Sequence, residues 1–330
     1  MKLHISLPAS RRLICLLPAI VLALSLFPAT PRVALAANPP VQQTYYISLP
    51  EDDLLQLFDD DDHPLGTFAD PVSPIRSITS IAIGSTGTWV YWDQWEDGYT
   101  TDLANPTAGE IYGAGNPGGT QIWGDGVLAN GCPPSINNVP NGCLVAADDQ
   151  LAAGDVIILD NDVIVVGTTP GPYSRTAAQI FFDGRDKFGA SFPVAVTRGA
   201  FPISPGSVMA GASEVLDTGR WGTVYEAPLG ENTLDTNTNA FEDVRWFIMA
   251  GEGGATIDVD ANGDGDLVDA NDLNDFVMAQ GAKRQVDGIR MGATLTVVSG
   301  NPVQVNSMTA DVNDTFEFRW DALLPRSAWS

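Results

Sequence analysis

The chain has 330 residues, with 41 acidic against 16 basic side chains, a formal charge of −25. That balance excludes nucleic acid and anionic membrane surfaces as natural partners, because both are recognised by a basic face. With 44% hydrophobic and 17% charged residues, the chain has the material for a packed core and lacks the composition of a disordered one.

In chain order, Lys2, Arg11 and Arg12 precede an apolar run over 13–27, and small residues follow at Ala34 to Ala36. This is the pattern of a secretory signal peptide over residues 1–36, cleaved after Ala36 or Ala37. The apolar run is short for a permanent transmembrane helix, and no later stretch is long and apolar enough to span a bilayer. The mature chain is therefore expected to be secreted, outside the cell or on its surface, with no membrane span. The leader carries Lys2, Arg11, Arg12 and Arg32 and no acidic residue, so its removal makes the rest more acidic still.

Next come Asp52 and Asp53 and the run Asp59 to Asp62. A second cation site and a solvated acidic loop are both open there, since no glycine or alternate spacing organises the carboxylates. Once His4 leaves with the leader, His63 is the only histidine. A zinc cluster or a Ser-His-Asp triad would have to be built on that one residue. Carboxylate pairs are too abundant for any one to point to glycoside hydrolysis. The chain reads as non-enzymatic.

The dominant period is two. Short β-branched or aromatic runs at 45–49, 78–83, 88–95, 156–159, 163–166, 179–182 and 192–197 are bounded by Gly, Pro, Asn or Asp, and the same holds at 245–249, 255–259, 294–298 and 303–307. Residues 156–166 read as a hairpin turning at Asp160 to Asp162, and 295–305 as one turning at Ser299 to Asn301. Phe192 to Val196 and Asn301 to Val305 share an x-Pro-Val-x-Val device, the hint of a weak internal repeat. A short helix is expected within 269–279, with Leu273, Phe276 and Val277 on one face. The fold class is all-β: a β-sandwich, or two packed β-sandwich subdomains, with many hairpins and little helix. The domain reading is 37–230 and 241–330, with the polar stretch 231–240 between.

Within the first domain, the strand around 88–95 puts Trp89, Tyr91 and Trp95 on one face and Val90 and Trp92 on the other. Core packing and an exposed aromatic platform for stacking a sugar are both compatible with that alternation. Cys132 and Cys143 lie in a Pro/Asn/Gly-rich loop; in an oxidising compartment they are expected to form a disulfide worth about 3 kcal/mol.

The sharpest chemical signal is the loop from Asp258 to Asp269. Asp258, Asp260, Asn262, Asp264, Asp266 and Asp269 occupy positions 1, 3, 5, 7, 9 and 12 of a twelve-residue loop, with Gly263 at position 6. A large hard cation takes six to eight oxygens, and alternate residues of a tight loop supply them, so the expected cofactor is Ca2+. A shifted register starting at Asp260, with Gly265 at the turn and Asn271 last, stays open. The closing residue Asp269 is shorter than the usual Glu, and the entering segment 254–257 reads as a strand. The stretch 260–276 also resembles half of a dockerin repeat, one residue too long.

Several blocks together, 45–50, 91–98, 116–126, 182–187, 211–215, 228–232 and 249–256, resemble the amino-terminal module of large secreted bacterial cell-surface proteins. More remotely, strands such as 301–305 look like the amino-terminal domain family of IgGFc-binding protein. The first resemblance implies an adhesive or interaction role, with an extracellular protein or glycan as partner, and supplies no catalytic residue. It also implies that the chain, whose last residues look like the middle of a family block, continues in a longer protein. Carbohydrate binding or carbohydrate-active chemistry is the alternative, resting on the Trp-rich strand and the abundant acids.

Overall fold

A computed structural model describes residues 37–51, 53–54, 75–163, 182–202, 211–231, 243–310 and 318–329. The signal-peptide reading over 1–36, the run Asp59 to Asp62 with His63, and the stretch 232–240 lie outside the described residues.

The chain is all-β, and among the described residues helix is confined to short single turns. The first lobe holds β1 (Gln43–Tyr46), β2 (Ile75–Ile83), β3 (Val90–Asp93), β4 (Gln121–Trp123), β5 (Ser135–Ile136), β6 (Val139–Pro140), β7 (Val156–Val163), β8 (Lys187–Ala190), β9 (Val194–Pro202) and β10 (Gly211–Glu214). The second holds β11 (Val224–Glu226), β12 (Asp243–Ala250), β13 (Ala255–Asp260), β14 (Leu273–Met278), β15 (Lys283–Val286), β16 (Thr294–Gly300), β17 (Val303–Ala310) and β18 (Phe318–Ala322). They form four small antiparallel sheets in the orders β1-β8-β3-β4, β10-β9-β2-β7-β5-β6, β11-β16-β13-β14 and β15-β12-β17-β18. The sheets succeed one another as four blades in a propeller-like ring, which is not clearly the sandwich expected from the pattern of strands.

Apolar contacts join the sheets two by two. One core takes Tyr45, Trp92, Trp123 and Phe188 from the first sheet and Ile81, Ile157 and Val196 from the second. The other takes Ile257, Val259 and Leu295 from the third and Trp246, Ile248 and Val305 from the fourth. In the first sheet the rings stack across strands: Tyr45 on Phe188 at 4.7 Å, Phe188 on Trp92 at 5.3 Å and Trp92 on Trp123 at 5.5 Å. Each such pair adds about 0.5–1.5 kcal/mol beyond the area it buries.

Leaving aside the short β5 and β6, the two lobes repeat each other strand for strand. The order β1-β8-β3-β4 maps onto β11-β16-β13-β14, and β10-β9-β2-β7 onto β18-β17-β12-β15. Register agrees in detail: Ile83 faces Val194 as Ala250 faces Val303, and Asp93 faces Lys187 as Asp260 faces Thr294. The Gly154 amide donates to the Ile83 carbonyl at 2.9 Å, as the Gly281 amide does to that of Ala250 at 2.8 Å. The Tyr45 hydroxyl donates to the Val194 carbonyl at 2.9 Å, as the Tyr225 hydroxyl does to that of Val303 at 2.6 Å. Each lobe ends on a tryptophan: Trp221 Nε1 donates to the Leu216 carbonyl at 3.0 Å, and Trp329 Nε1 to that of Leu324 at 3.2 Å.

Four expectations are corrected. Residues 156–163 are one strand, with Asp160 opposite Ile78 and Asn161 opposite Ser77, so there is no turn at Asp160 to Asp162. The strand carries its acids because Arg76 pairs with Asp160 at the exposed edge of the ladder. The 295–305 segment is no hairpin either, since β16 pairs with β13 and β11 while β17 pairs with β12 and β18. The chain crosses there between facing sheets, as it does from β8 to β9, and the x-Pro-Val-x-Val device marks both crossings.

The expected helix within 269–279 is β14. Its pairing steps from Ile257 opposite Phe276 to Val259 opposite Leu273, a bulge centred on Asp275 at φ +51°. The extra residue spaces the inward side chains by three, which mimics a helical period. Finally, β11 precedes the expected boundary at 231–240 yet pairs with β16, so the second lobe begins near Gly222.

Candidate metal centres

The loop that follows the third principal strand of a lobe holds a whole acidic cluster after β13 and one member of another, Glu96, after β3. Aligned on the strands, Asp93 falls on Asp260, Asp97 on Asp264 and Gly98 on Gly265. The two glycines share a left-handed backbone, φ +96° and +94°, which a side chain would strain.

In the second lobe the carboxylates of Asp264, Asp266 and Asp269 converge, one oxygen from each lying within 4.8 Å of the others, all exposed. The loop is organised by its own amides. The buried Asp260 accepts from the amides of Gly263 at 2.7 Å and Gly265 at 2.9 Å. Asn262 accepts from the Asp264 amide, and its side-chain nitrogen donates to Asp269 at 2.5 Å. Asp264 in turn accepts from Asp266, and Asp266 from Val268.

Asp258 stands apart, since its carboxylate accepts from the Asp275 amide of β14 at 2.7 Å. Of the six expected ligands, three are gathered, Asp260 and Asn262 brace the turn, and Asp258 faces the bulge. Gly263 at φ +72° and Gly265 at φ +94° both lie in the left-handed region, so the turn glycine of either register has the backbone it requires. Asp272, not among the expected ligands, reaches into the same loop, accepting from the amides of Ala261 and Asp269, each at 2.9 Å.

The first lobe holds a cluster that the spacing of residues did not announce: Glu96 from the loop after β3, and Asp183 and Asp186 from the turn leading into β8. Their carboxylate oxygens also lie within 4.8 Å of one another, but here both aspartates are buried. Asp186 accepts from the Trp92 indole at 3.0 Å and from the Trp95 amide at 3.3 Å. Burial, and then the charges of Asp183 and Glu96, raise the Asp186 pKa well above the ordinary carboxylate range. Three carboxylates so placed need a proton or a cation among them. The signal that could have located them is the pair of blocks 91–98 and 182–187, quoted above only for resemblance.

Nearby, burial raises the Asp93 pKa to about 6, against the opposing hydrogen bonds from Thr100 and Thr120 and the charge of Lys187. The acid of Glu51 goes the other way. Its burial is outweighed by the Arg198 guanidinium at 2.7 Å and by bonds from Ser77 and Gly184, so its pKa is lowered.

The aromatic trio does not form a platform. Tyr91 is fully buried and donates to the Pro39 carbonyl at 2.7 Å, within a cluster that includes Leu103, Ala104 and Ile122. Trp89 packs on the same cluster, and Trp95, past the end of β3, lies under the Arg185 guanidinium at 3.9 Å. The core-packing alternative fits, because loop 103–111 covers the face opposite the inter-sheet core. Aromatic and polar groups do meet at the junction of the lobes, in a cleft of about 550 Å³ lined by Tyr46, Trp221, Glu252 and Asn301 among others. Cys132 and Cys143 are joined as a disulfide, Cα atoms 6.3 Å apart. No helix among the described residues is long and apolar enough to cross a membrane.

Fold and site together define an acidic all-β protein with an acid cluster in each of two repeated lobes. Compared with known proteins, the chain matches no family model, no curated protein and no solved structure.

Proposed function

We propose that this chain is an exported, calcium-stabilised module of the cell surface, with an adhesive or interaction role and no catalysis of its own. The observation that carries the reading is that each lobe gathers three carboxylates, Asp264, Asp266 and Asp269 within one loop and Glu96, Asp183 and Asp186 from two segments. A hard divalent cation suits oxygen-only donors, and extracellular calcium is plentiful enough for a site of modest affinity. Export rests on the amino-terminal pattern, and the surface role on the resemblance to amino-terminal modules of secreted surface proteins. In this reading each lobe is braced by calcium held at its own acid cluster.

The experiment is a pair of thermal melts, one in millimolar calcium and one in EGTA. Binding to the folded state alone raises stability by about 2.7 kcal/mol when calcium stands at a hundred times its dissociation constant. Superimposable melts would remove the cation from the account.

A second reading, carbohydrate recognition, is favoured by the inter-lobe cleft, where the exposed Glu252 and Asn301 supply polar groups above the buried Tyr46 and Trp221. A glycan array read with the chain and with Glu252→Ala, an exposed position of the cleft, separates the two. Sugar binding lost in the variant favours the second reading, and an empty array favours the first.

A further inference from the structure

The first-lobe cluster lies at the seam between the lobes. Asp183 and Asp186 flank Arg185 in one tight turn, and Arg185 holds φ +83°, a left-handed backbone that a residue with a side chain keeps only when its surroundings impose it. From that turn the Arg185 side chain donates to the Gly281 carbonyl of the second lobe at 2.9 Å, and its guanidinium lies 3.9 Å over the ring of Trp95, the residue before Glu96. The Tyr99 hydroxyl donates to the Arg185 carbonyl at 2.9 Å, and it stands so close to Gly281 that a Cβ there would meet it at 1.8 Å. The segment that carries Gly281 makes two more bonds to the first lobe, from Gln280 to the Tyr46 hydroxyl at 2.7 Å and from Lys283 to Asp53.

Gln94 stands beside the same cluster. The pairing of β3 with β8 sets Trp92 opposite Phe188 and Asp93 opposite Lys187. One step further along that register Gln94 falls opposite Asp186, on the side of the sheet where the Trp92 indole bonds Asp186. Gln94 is fully buried, and among the described residues neither its amide oxygen nor its amide nitrogen has a hydrogen-bond partner. A buried amide left so costs stability, and a bound ion or water is what satisfies such a group. An amide oxygen is also the neutral donor that calcium takes alongside carboxylates.

Resting on the calcium reading of this cluster, we propose that Gln94 is a fourth ligand beside Glu96, Asp183 and Asp186, and that the ion they hold locks the junction of the two lobes. The ion ties down both ends of the 183–186 turn, and with it the Arg185 contact that the second lobe meets. Without the ion, repulsion among the carboxylates opens the turn and loosens its hold on Gly281. The second-lobe cluster has no part in this, because Asp264, Asp266 and Asp269 precede β14 while Gln280 to Lys283 follow its far end.

The test silences the second-lobe cluster with Asp264→Asn and Asp266→Asn together. The full chain is then titrated with calcium chloride by calorimetry, and hydrogen exchange over residues 279–284 is followed by mass spectrometry. One calcium site is expected to remain, and Gln94→Met in that background is expected to weaken it at least about tenfold. Calcium is expected to slow exchange over 279–284 at least about fivefold. Arg185→Ala should still bind calcium but lose that protection, and near-ultraviolet circular dichroism checks that each variant keeps its packed aromatic core. Affinity indifferent to Gln94→Met, exchange over 279–284 indifferent to calcium, or protection that survives Arg185→Ala would each overturn this inference and leave the calcium reading standing. A silenced chain that takes up no calcium would overturn both.

Discussion

Replacing Asp186 by Asn is expected to change stability in opposite directions with and without calcium. Asn keeps an acceptor oxygen for the Trp92 indole or the Trp95 amide, so the fold around β3 and β8 is preserved while one charge leaves the buried triad. In EGTA the wild type must hold three converging carboxylates, two of them buried. Removing one relieves the desolvation and like-charge penalty seen as the raised Asp186 pKa, which outweighs the roughly 1 kcal/mol of the one hydrogen bond that Asn cannot accept. For a chain of this size that is a rise of roughly 2–4 °C in Tm for each kcal/mol. In millimolar calcium the same change deletes a ligand and forfeits a binding contribution of about 2–3 kcal/mol, so Tm falls below wild type. The assay is thermal unfolding of both proteins in both buffers, followed by near-ultraviolet circular dichroism. A shift of the same sign in the two buffers would refute the reasoning, because the triad would then be a proton-holding or purely structural cluster.

Other outcomes follow from the same geometry. Because the folded pKa of Asp186 is raised, and that of Asp93 is raised to about 6, both hold a proton more tightly folded than unfolded. Their contribution is present at low pH and is lost as pH rises from the ordinary aspartate value of about 3.9 through the folded values. Calcium-free protein is therefore expected to be more stable near pH 5 than near pH 8, with calcium flattening the slope; urea midpoints across that range would show it. The hydroxyls of Tyr45 and Tyr225 make the same bond in the two lobes, so Tyr45→Phe and Tyr225→Phe should each cost about 1 kcal/mol by chemical denaturation. A loss confined to one lobe would argue against their equivalence. Replacing Cys132 and Cys143 together by Ala is expected to cost about 3 kcal/mol without altering the calcium response, since the bridged loop carries β5 and β6 at the edge of the second sheet, whereas the clusters flank β3, β8 and β13 of the first and third.

Alternation of apolar and polar residues was enough to read an all-β chain, and β7, β13, β16 and β17 start at the residue the pattern marks, whereas β4, β8, β10, β15 and β18 carry no run that marks them. Partners were not legible, because a strand pattern states which side faces inward and not which strand lies beside it. Hence 156–163 looked like two strands around an Asp-Asn-Asp turn, and β16 with β17 looked like a hairpin where the chain changes sheets. The bulge at Asp275 shows a second limit, since one extra residue in a strand produces the three-residue spacing of a helix. At the candidate centres, the 258–269 loop was visible because its acids are close in sequence. The Glu96, Asp183 and Asp186 cluster was hidden because its members come from two segments that only the pairing of β3 with β8 brings together. The duplication of the lobes surfaced in the sequence as a single shared device, 192–196 and 301–305, while the rest of it lies in register and hydrogen bonding.

The most direct trial of the cation account is to grow crystals of the chain in calcium and inspect the two loops for anomalous scattering. The account predicts an ion between Asp264, Asp266 and Asp269, and another between Glu96, Asp183 and Asp186, each about 2.3–2.6 Å from carboxylate oxygens. Well-ordered loops with water alone between those side chains, in crystals grown at millimolar calcium, would contradict it.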